Sequence, residues 1–160
     1  MGEKIEKTNV MRILDQKKIP YKSYAYEKTE EMDGEGVAAA IGKPADRVFK
    51  TLVTVGASKS NYVFVIPVNK ELDLKKAAEA VGEKNIEMIK SKELLPLTGY
   101  IHGGCSPIGM KKFFKTTIHL TAADEPEFLF SAGKVGRQVE LKHEDLKRVI
   151  EYSFADLTRG

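Results

Sequence analysis

The chain has 160 residues, 42% of them apolar and 31% charged, with a formal net charge of +3. That length can bury a core without disulfides or metal, and the composition excludes a disordered chain. A single cysteine excludes an internal disulfide and points to a reducing, cytoplasmic setting. The mild positive charge permits a polyanionic partner without demanding one, because the placement of charge matters more than its sum.

No repeat, low-complexity tract or Pro/Gly/Ser linker divides the sequence, so residues 1–160 are expected to form one domain. The opening MGEKIEKTNV lacks an apolar core of signal-peptide length, and the run Tyr62 to Val68 is too short to cross a bilayer. Thr8 to Lys18 reads as a helix, with Val10, Ile13, Leu14 and Lys17 on one side. Pro20 ends it, and Tyr21 to Tyr26 follows as a strand. A short alanine-rich helix, Gly36 to Ile41, stops at Gly42. Val48 to Val55 and Tyr62 to Val68 read as strands joined by the polar turn Gly56 to Asn61. Their apolar character on both faces predicts central, covered strands. Asp73 caps a helix from Leu74 to Val81 that Gly82 closes. Ile86 to Ile89 is a short strand, and Ser91 begins a helical turn ending near Pro96. Strands are expected at Thr116 to Leu120, Phe128 to Phe130 and Gln138 to Leu141. A last helix runs from about Glu144 to Tyr152, with Leu146, Val149 and Ile150 inward. Strands and helices mix without regular βαβ alternation, which predicts a mixed α/β fold with a curved sheet or barrel.

Residues 99–109, Gly-Tyr-Ile-His-Gly-Gly-Cys-Ser-Pro-Ile-Gly, hold four glycines and the cysteine. A phosphate-binding P-loop needs Lys and a hydroxyl residue after its last glycine, but Met110, Lys111 and Lys112 follow Gly109. The dinucleotide fingerprint is absent too. His102, His119 and His143 lack metal-ligand spacing and read as surface or satisfied structural histidines, so no metal is expected. Cys105 lies three residues from His102, yet neighbours in an extended loop rarely point at one another and no third orienting group is evident. A buried, inert thiol is the better reading. What remains is a pocket wall: Gly103 and Gly104 let a ligand approach the backbone and leave N–H groups to donate, although a structural turn would share the pattern.

Lys50 interrupts the strand Arg-Val-Phe-Lys-Thr-Leu-Val at 47–53. On an edge strand it would be a solvated lysine. If the face shared by Val48, Lys50, Leu52 and Thr54 is covered, its ammonium stands at a pocket floor and can bind phosphate or polarise a carbonyl. Thr51 points to the opposite face.

Three motifs in order, Val-Phe-Lys-Thr-Leu at 48–52, the glycine-rich stretch continued to Lys112, and Ser-Ala-Gly-Lys-Val-Gly-Arg-Gln-Val-Glu-Leu at 131–141, resemble the YbaK/EbsC family. That family comprises free-standing aminoacyl-tRNA deacylases related to the editing domain of bacterial prolyl-tRNA synthetase. The likeness runs from Lys7-Thr8-Asn9 to the last helix and matches best the branch that removes cysteine from proline tRNA. It implies a mixed β-barrel with packed helices, no metal and no cofactor. It puts the family's functional lysine on Lys50 with Thr51 beside it. The pocket aromatic falls on Tyr26, the glycine wall on Gly103 and Gly104, and the serine-glycine turn on Ser131 and Gly133. Where some members carry an aromatic, residues 31–34 read Glu-Met-Asp-Gly, so that either Met32 or no residue takes that role.

The implied substrate is the aminoacylated 3' end of tRNA, with prolyl-tRNA synthetase as a candidate partner and no membrane. The ester is already activated, so positioning and charge stabilisation suffice without a triad. Lys111, Lys112 and Lys115 after the loop, and Lys134 and Arg137 around the turn, are candidate phosphate contacts, or else solubilising charges. Alternatives are an Ala-tRNA(Pro) or broad-specificity deacylase, a non-catalytic module that grips the tRNA end or a synthetase, and a thiol-dependent protein using Cys105.

Overall fold

The computed structural model describes residues 7–124 and 126–159; most of the N-terminal stretch read above for a leader lies outside them. Five α-helices and eight strands alternate irregularly among the described residues. Helix α1 (Asn9–Gln16) starts at Thr8, whose side chain accepts the Met11 N–H, and buries Val10, Met11 and Leu14. Met11 thus takes the inward place that the apolar spacing assigned to Lys17, which is exposed. Helix α3 (Leu74–Val81) has Asp73 accepting from the Lys75 and Lys76 N–H groups, and ends on Gly82 at φ 74°.

The strands form two sheets. β1 (Lys22–Ala25), β7 (Arg137–Lys142) and β6 (Glu127–Ser131) make a three-stranded antiparallel sheet in that order. The second sheet has the order β4 (Ile86–Met88), β2 (Phe49–Gly56), β3 (Asn61–Pro67), β5 (Lys115–His119), β8 (Ser153–Ala155). β2 and β3 are central, as their apolar faces predict. The mixed α/β class is as expected, and among the described residues the two sheets do not close into a barrel. Strands β2 and β6 are the reason. They meet at one parallel bridge, Val48 to Leu129, and continue into different sheets.

The main core spans both sheets. Phe49 of β2 meets Phe128 of β6 edge-on at 5.1 Å, and Val63, Val65, Ile118, Phe130, Val139 and Leu141 surround them. A second cluster under α3 contains Phe64, Ile66, Leu72 and Ile86. A third, Ala38, Val48 and Leu129, lies under α2 (Gly34–Ala40). Arg47, 7% exposed, donates from Nη1 to the Thr121 carbonyl at 2.9 Å and from Nε to the Glu127 carbonyl at 3.1 Å. It fastens the entry of β2 to the start of β6.

Two expectations need correction. The last helix, α5, covers only His143–Leu146. The Tyr152 hydroxyl donates to the His143 carbonyl at 2.6 Å, turning the chain so that 153–155 pair in parallel with β5 as the unforeseen strand β8. Helix α4 (Ser91–Thr98) runs two residues past Pro96, because the Thr98 hydroxyl bonds the Leu94 carbonyl and Gly99, at φ 87°, supplies the cap.

Phe128 and Phe113 offer a direct contrast. Phe128→Ala leaves a void in the main core and is expected to cost about 3–5 kcal/mol in urea unfolding. Phe113 is 56% exposed, and Phe113→Ala is expected to stay within about 0.5 kcal/mol of the parent.

Candidate functional site

The divergence of β2 from β6 creates the site. β3 covers β2 along its whole length, whereas β4 covers only Thr54 to Gly56, with the Ile89 N–H closing on the Val53 carbonyl. Between the Val48 bridge and Val53, the outer edge of β2 has no partner strand among the described residues. The Val48 carbonyl accepts from Val68 and the Gly56 N–H donates to Ser60, so even-numbered residues bond to β3. By the alternation of an antiparallel ladder, the backbone groups of Phe49 and Thr51 point out to the open edge.

A cavity of about 230 Å³ fills this wedge. One water needs only about 10–15 Å³, so the space is ligand-sized. Its walls come from β2 (Phe49 to Leu52), the ends of β6 and β7 (Ser131, Gln138), and the α2 entry (Met32 to Gly34, Val37). Tyr26, Leu94 and the loop residues His102, Gly103 and Cys105 complete them. Two residues beyond the Val48–Leu129 bridge, Lys50 and Ser131 line the same cavity. Lys50 and Leu52 pair with Ile66 and Phe64 of the second cluster, while Thr51 pairs with Val65 of the main core. Both faces of β2 reach the cavity because it wraps an open edge. Lys50 is half-buried, and no carboxylate among the described residues pairs with its ammonium. That leaves the charge available to an anion or a polarised carbonyl.

Five of the seven central residues named from sequence line the cavity together: Tyr26, Lys50, Thr51, Gly103 and Ser131. Gly104 and Gly133 stand behind the wall. A Cβ on Gly104 would lie 3.0 Å from the Val135 nitrogen, so glycine is what lets the loop press on the 134–135 turn. Its N–H is spent on the Ile101 carbonyl at 3.0 Å and does not face a ligand, contrary to the expectation for that group. Gly133 gives its N–H to Ser131 Oγ at 3.1 Å, fixing that hydroxyl. Lys111, Lys112, Lys115 and Lys134 are exposed and Arg137 is half-buried; none lines the cavity. The Lys112 ammonium sits 5.4 Å over the Phe114 ring.

Sequence reasoning did not single out Lys28, Leu94 or Gln138. Lys28 donates to the Met32 carbonyl at 2.6 Å and shapes the rim, where Met32 occupies the wall as the candidate substitute for an aromatic. Gln138 is 6% exposed, and its amide oxygen has no partner; the Thr51 hydroxyl is likewise buried without one. The one available signal for Gln138 was a polar residue opening an apolar strand.

Burial pushes the Cys105 thiol up to about 12, so it is a neutral wall atom, and no hydrogen bond joins it to His102. His119 is buried, accepts the Leu157 N–H at 3.1 Å, and is pushed down mainly by desolvation, as a satisfied structural histidine. Among the described residues no three metal-ligating side chains come together, and no helix is long and apolar enough to cross a membrane.

Residues 29–149 match the model of the aminoacyl-tRNA editing domain, and the chain belongs to that family. It is 47% identical over 154 residues, 96% of this chain and 94% of the other, to a protein of Enterococcus faecalis (strain ATCC 700802 / V583) provisionally named Cys-tRNA(Pro)/Cys-tRNA(Cys) deacylase EbsC. It is 34% identical over 74 residues to a proline–tRNA ligase of Shouchella clausii (strain KSM-K16), which covers 46% of this chain and 13% of the ligase. Two solved structures share the fold. One is a provisional trans-editing enzyme for prolyl tRNA synthetase (TM-score 0.81, 22% identity, 97% of this chain and 100% of that one). The other is the hypothetical protein APE2540 (TM-score 0.84, 19% identity, 94% and 99%).

An acid held near 12 rather than its ordinary 9.0 presents about a thousandfold less thiolate at neutral pH. Iodoacetamide is therefore expected to label native Cys105 at least a hundredfold more slowly than the urea-unfolded chain. Equal rates, followed by mass spectrometry, would contradict a buried thiol.

Proposed function

We infer that this chain is a free-standing hydrolase that deacylates cysteinyl-tRNA(Pro), and by the same chemistry cysteinyl-tRNA(Cys), so that mischarged tRNA is cleared before translation. The observation that carries this reading is the 47% identity to the EbsC deacylase over nearly the full length of both chains. The wedge cavity supports it, with Lys50 at its wall and a neutral thiol beside it. An aminoacyl ester is activated, so holding it in place and offsetting charge on the carbonyl oxygen is enough. Lys50 engages the terminal nucleotide or the reacting carbonyl, and Tyr26, Thr51, Gly103 and Ser131 bound the aminoacyl end. Gly104 and Gly133 act from behind, as spacers for the loop and the turn.

Cys105, being neutral, leaves the attacking group to the substrate or to water. Attack by the substrate's own sulfur on the ester carbonyl closes a cyclic thioester as the acyl C–O bond breaks, and the thiol proton passes to the departing ribose oxygen. That route separates cysteine from serine better than pocket size could, since the two differ by one atom. Lys111, Lys112, Lys115, Lys134 and Arg137 supply phosphate contacts to the acceptor stem. The sequence holds no base-reading motif, so selection of tRNA(Pro) falls to a partner, prolyl-tRNA synthetase. The setting is the cytoplasm, where charged tRNA is used.

The purified protein, given labelled Cys-, Ala-, Ser- and Pro-tRNA(Pro), is expected to hydrolyse the cysteinyl ester fastest and spare the prolyl one; no acceleration of any ester would leave a binding module instead. Lys50→Ala is expected to lower kcat/KM on the order of a hundredfold. Charge reversal at Lys111 and Lys112 should raise KM and reduce the slope of log KM against log salt by about 1 per lost contact, while kcat holds.

A further inference from the structure

Among the described residues three buried side-chain oxygens lack a hydrogen-bond partner, and two of them, Thr51 Oγ1 and Gln138 Oε1, belong to residues that line the wedge cavity. Buried polar atoms are nearly always satisfied, so two orphans in one ligand-sized space mark where a ligand's donors go. Gln138 stands at the closed end, and Thr51, half-buried, lies beside Lys50 on the β2 wall. Gln138, Ser131 and Cys105 are at most 8% exposed, whereas Lys28, Asp33 and His102 form the open rim.

Resting on the deacylase reading above, we propose that Thr51 and Gln138 receive the α-amino group of the esterified amino acid. The substrate enters by its aminoacyl terminus, so the aminoacyl moiety occupies the closed end and the nucleotide the rim. Within that moiety the ester oxygens only accept, and a thiol donates weakly. The amino group carries at least two donors in either protonation state, which matches two orphaned acceptors. Lys50, a pure donor, suits the carbonyl or a phosphate and is the wrong partner for an ammonium. An acylated amine of a growing peptide keeps one donor and adds bulk, so the site spares peptidyl-tRNA. Proline's secondary amine, when neutral, brings a single donor, which lowers the fit of the correctly charged ester.

The test compares cysteinyl-tRNA(Pro) with 3-mercaptopropionyl-tRNA(Pro), the same ester without its amino group. Each enzymatic kcat/KM is divided by that ester's spontaneous hydrolysis rate, because the amino group also activates the ester. A site built to hydrogen-bond a group rejects the analogue lacking it strongly, so the parent protein is expected to prefer the cysteinyl ester by about a hundredfold. Thr51→Val, which keeps shape, should shrink that gap about tenfold, and adding Gln138→Met should bring it below threefold. If the parent treats both esters alike, or the substitutions slow both equally and leave the gap intact, the proposal is overturned. Should neither ester be hydrolysed faster than in buffer, the deacylase reading itself falls, a result distinct from equal acceleration of both. Thr51→Val alone decides the matter if the double variant does not fold.

Discussion

Strands β2 and β6 are fastened at one end and free at the other, and the site follows from that. Arg47 ties the entry of β2 to the carbonyls of Thr121 and Glu127, and Val48 bridges Leu129. Beyond that point each strand is claimed by a different sheet. Backbone at an unpartnered strand edge needs hydrogen-bonding company, and a wedge lined by such an edge is a natural seat for a polar ligand. The same fastening keeps Phe49 against Phe128, so the core and the cavity are set by one joint.

The cavity's chemistry is that of a mould more than a reagent. Its thiol is held neutral by burial, Lys50 has no carboxylate counter-ion among the described residues, and the Thr51 and Gln138 side-chain oxygens lack partners. The unpartnered oxygens cost folding stability and gain nothing until a ligand arrives. The glycine loop contributes shape: Gly103, at φ 84°, puts the chain on the cavity wall, and Gly104 lets the loop lie flat on the 134–135 turn. In the proposed reaction the developing charge would fall mainly to Lys50, since one of the two glycine N–H groups is already engaged.

Much of this was legible along the chain. Asp73 and Gly82 bounded their helix to the residue, because caps are local hydrogen-bond chemistry. The paired apolar strands 49–56 and 61–67 were visible because both faces are covered. The sequence predicts a longer last helix because Leu146, Val149 and Ile150 keep helical spacing. The Tyr152 hydroxyl and the free edge of β5 overrode that pattern, and neither is a local property. Gln138 was missed for a related reason. Its side chain is buried on the same face of β7 as Glu140, and only the meeting of that face with β2 turns a polar strand residue into a cavity wall.

Residue type and short-range order alone determined the class of fold, both ends of the helix between Asp73 and Gly82, and the family likeness carried by three ordered motifs, and they favoured an inert thiol. These depend on contacts within a few residues or on the identity of the side chains. Only the tertiary structure decided that the sheets stay open, that Lys50 and Ser131, eighty-one positions apart, share one cavity, and which glycine N–H is spent. Those outcomes rest on where two strands separate, and no periodicity within either strand encodes the point of separation.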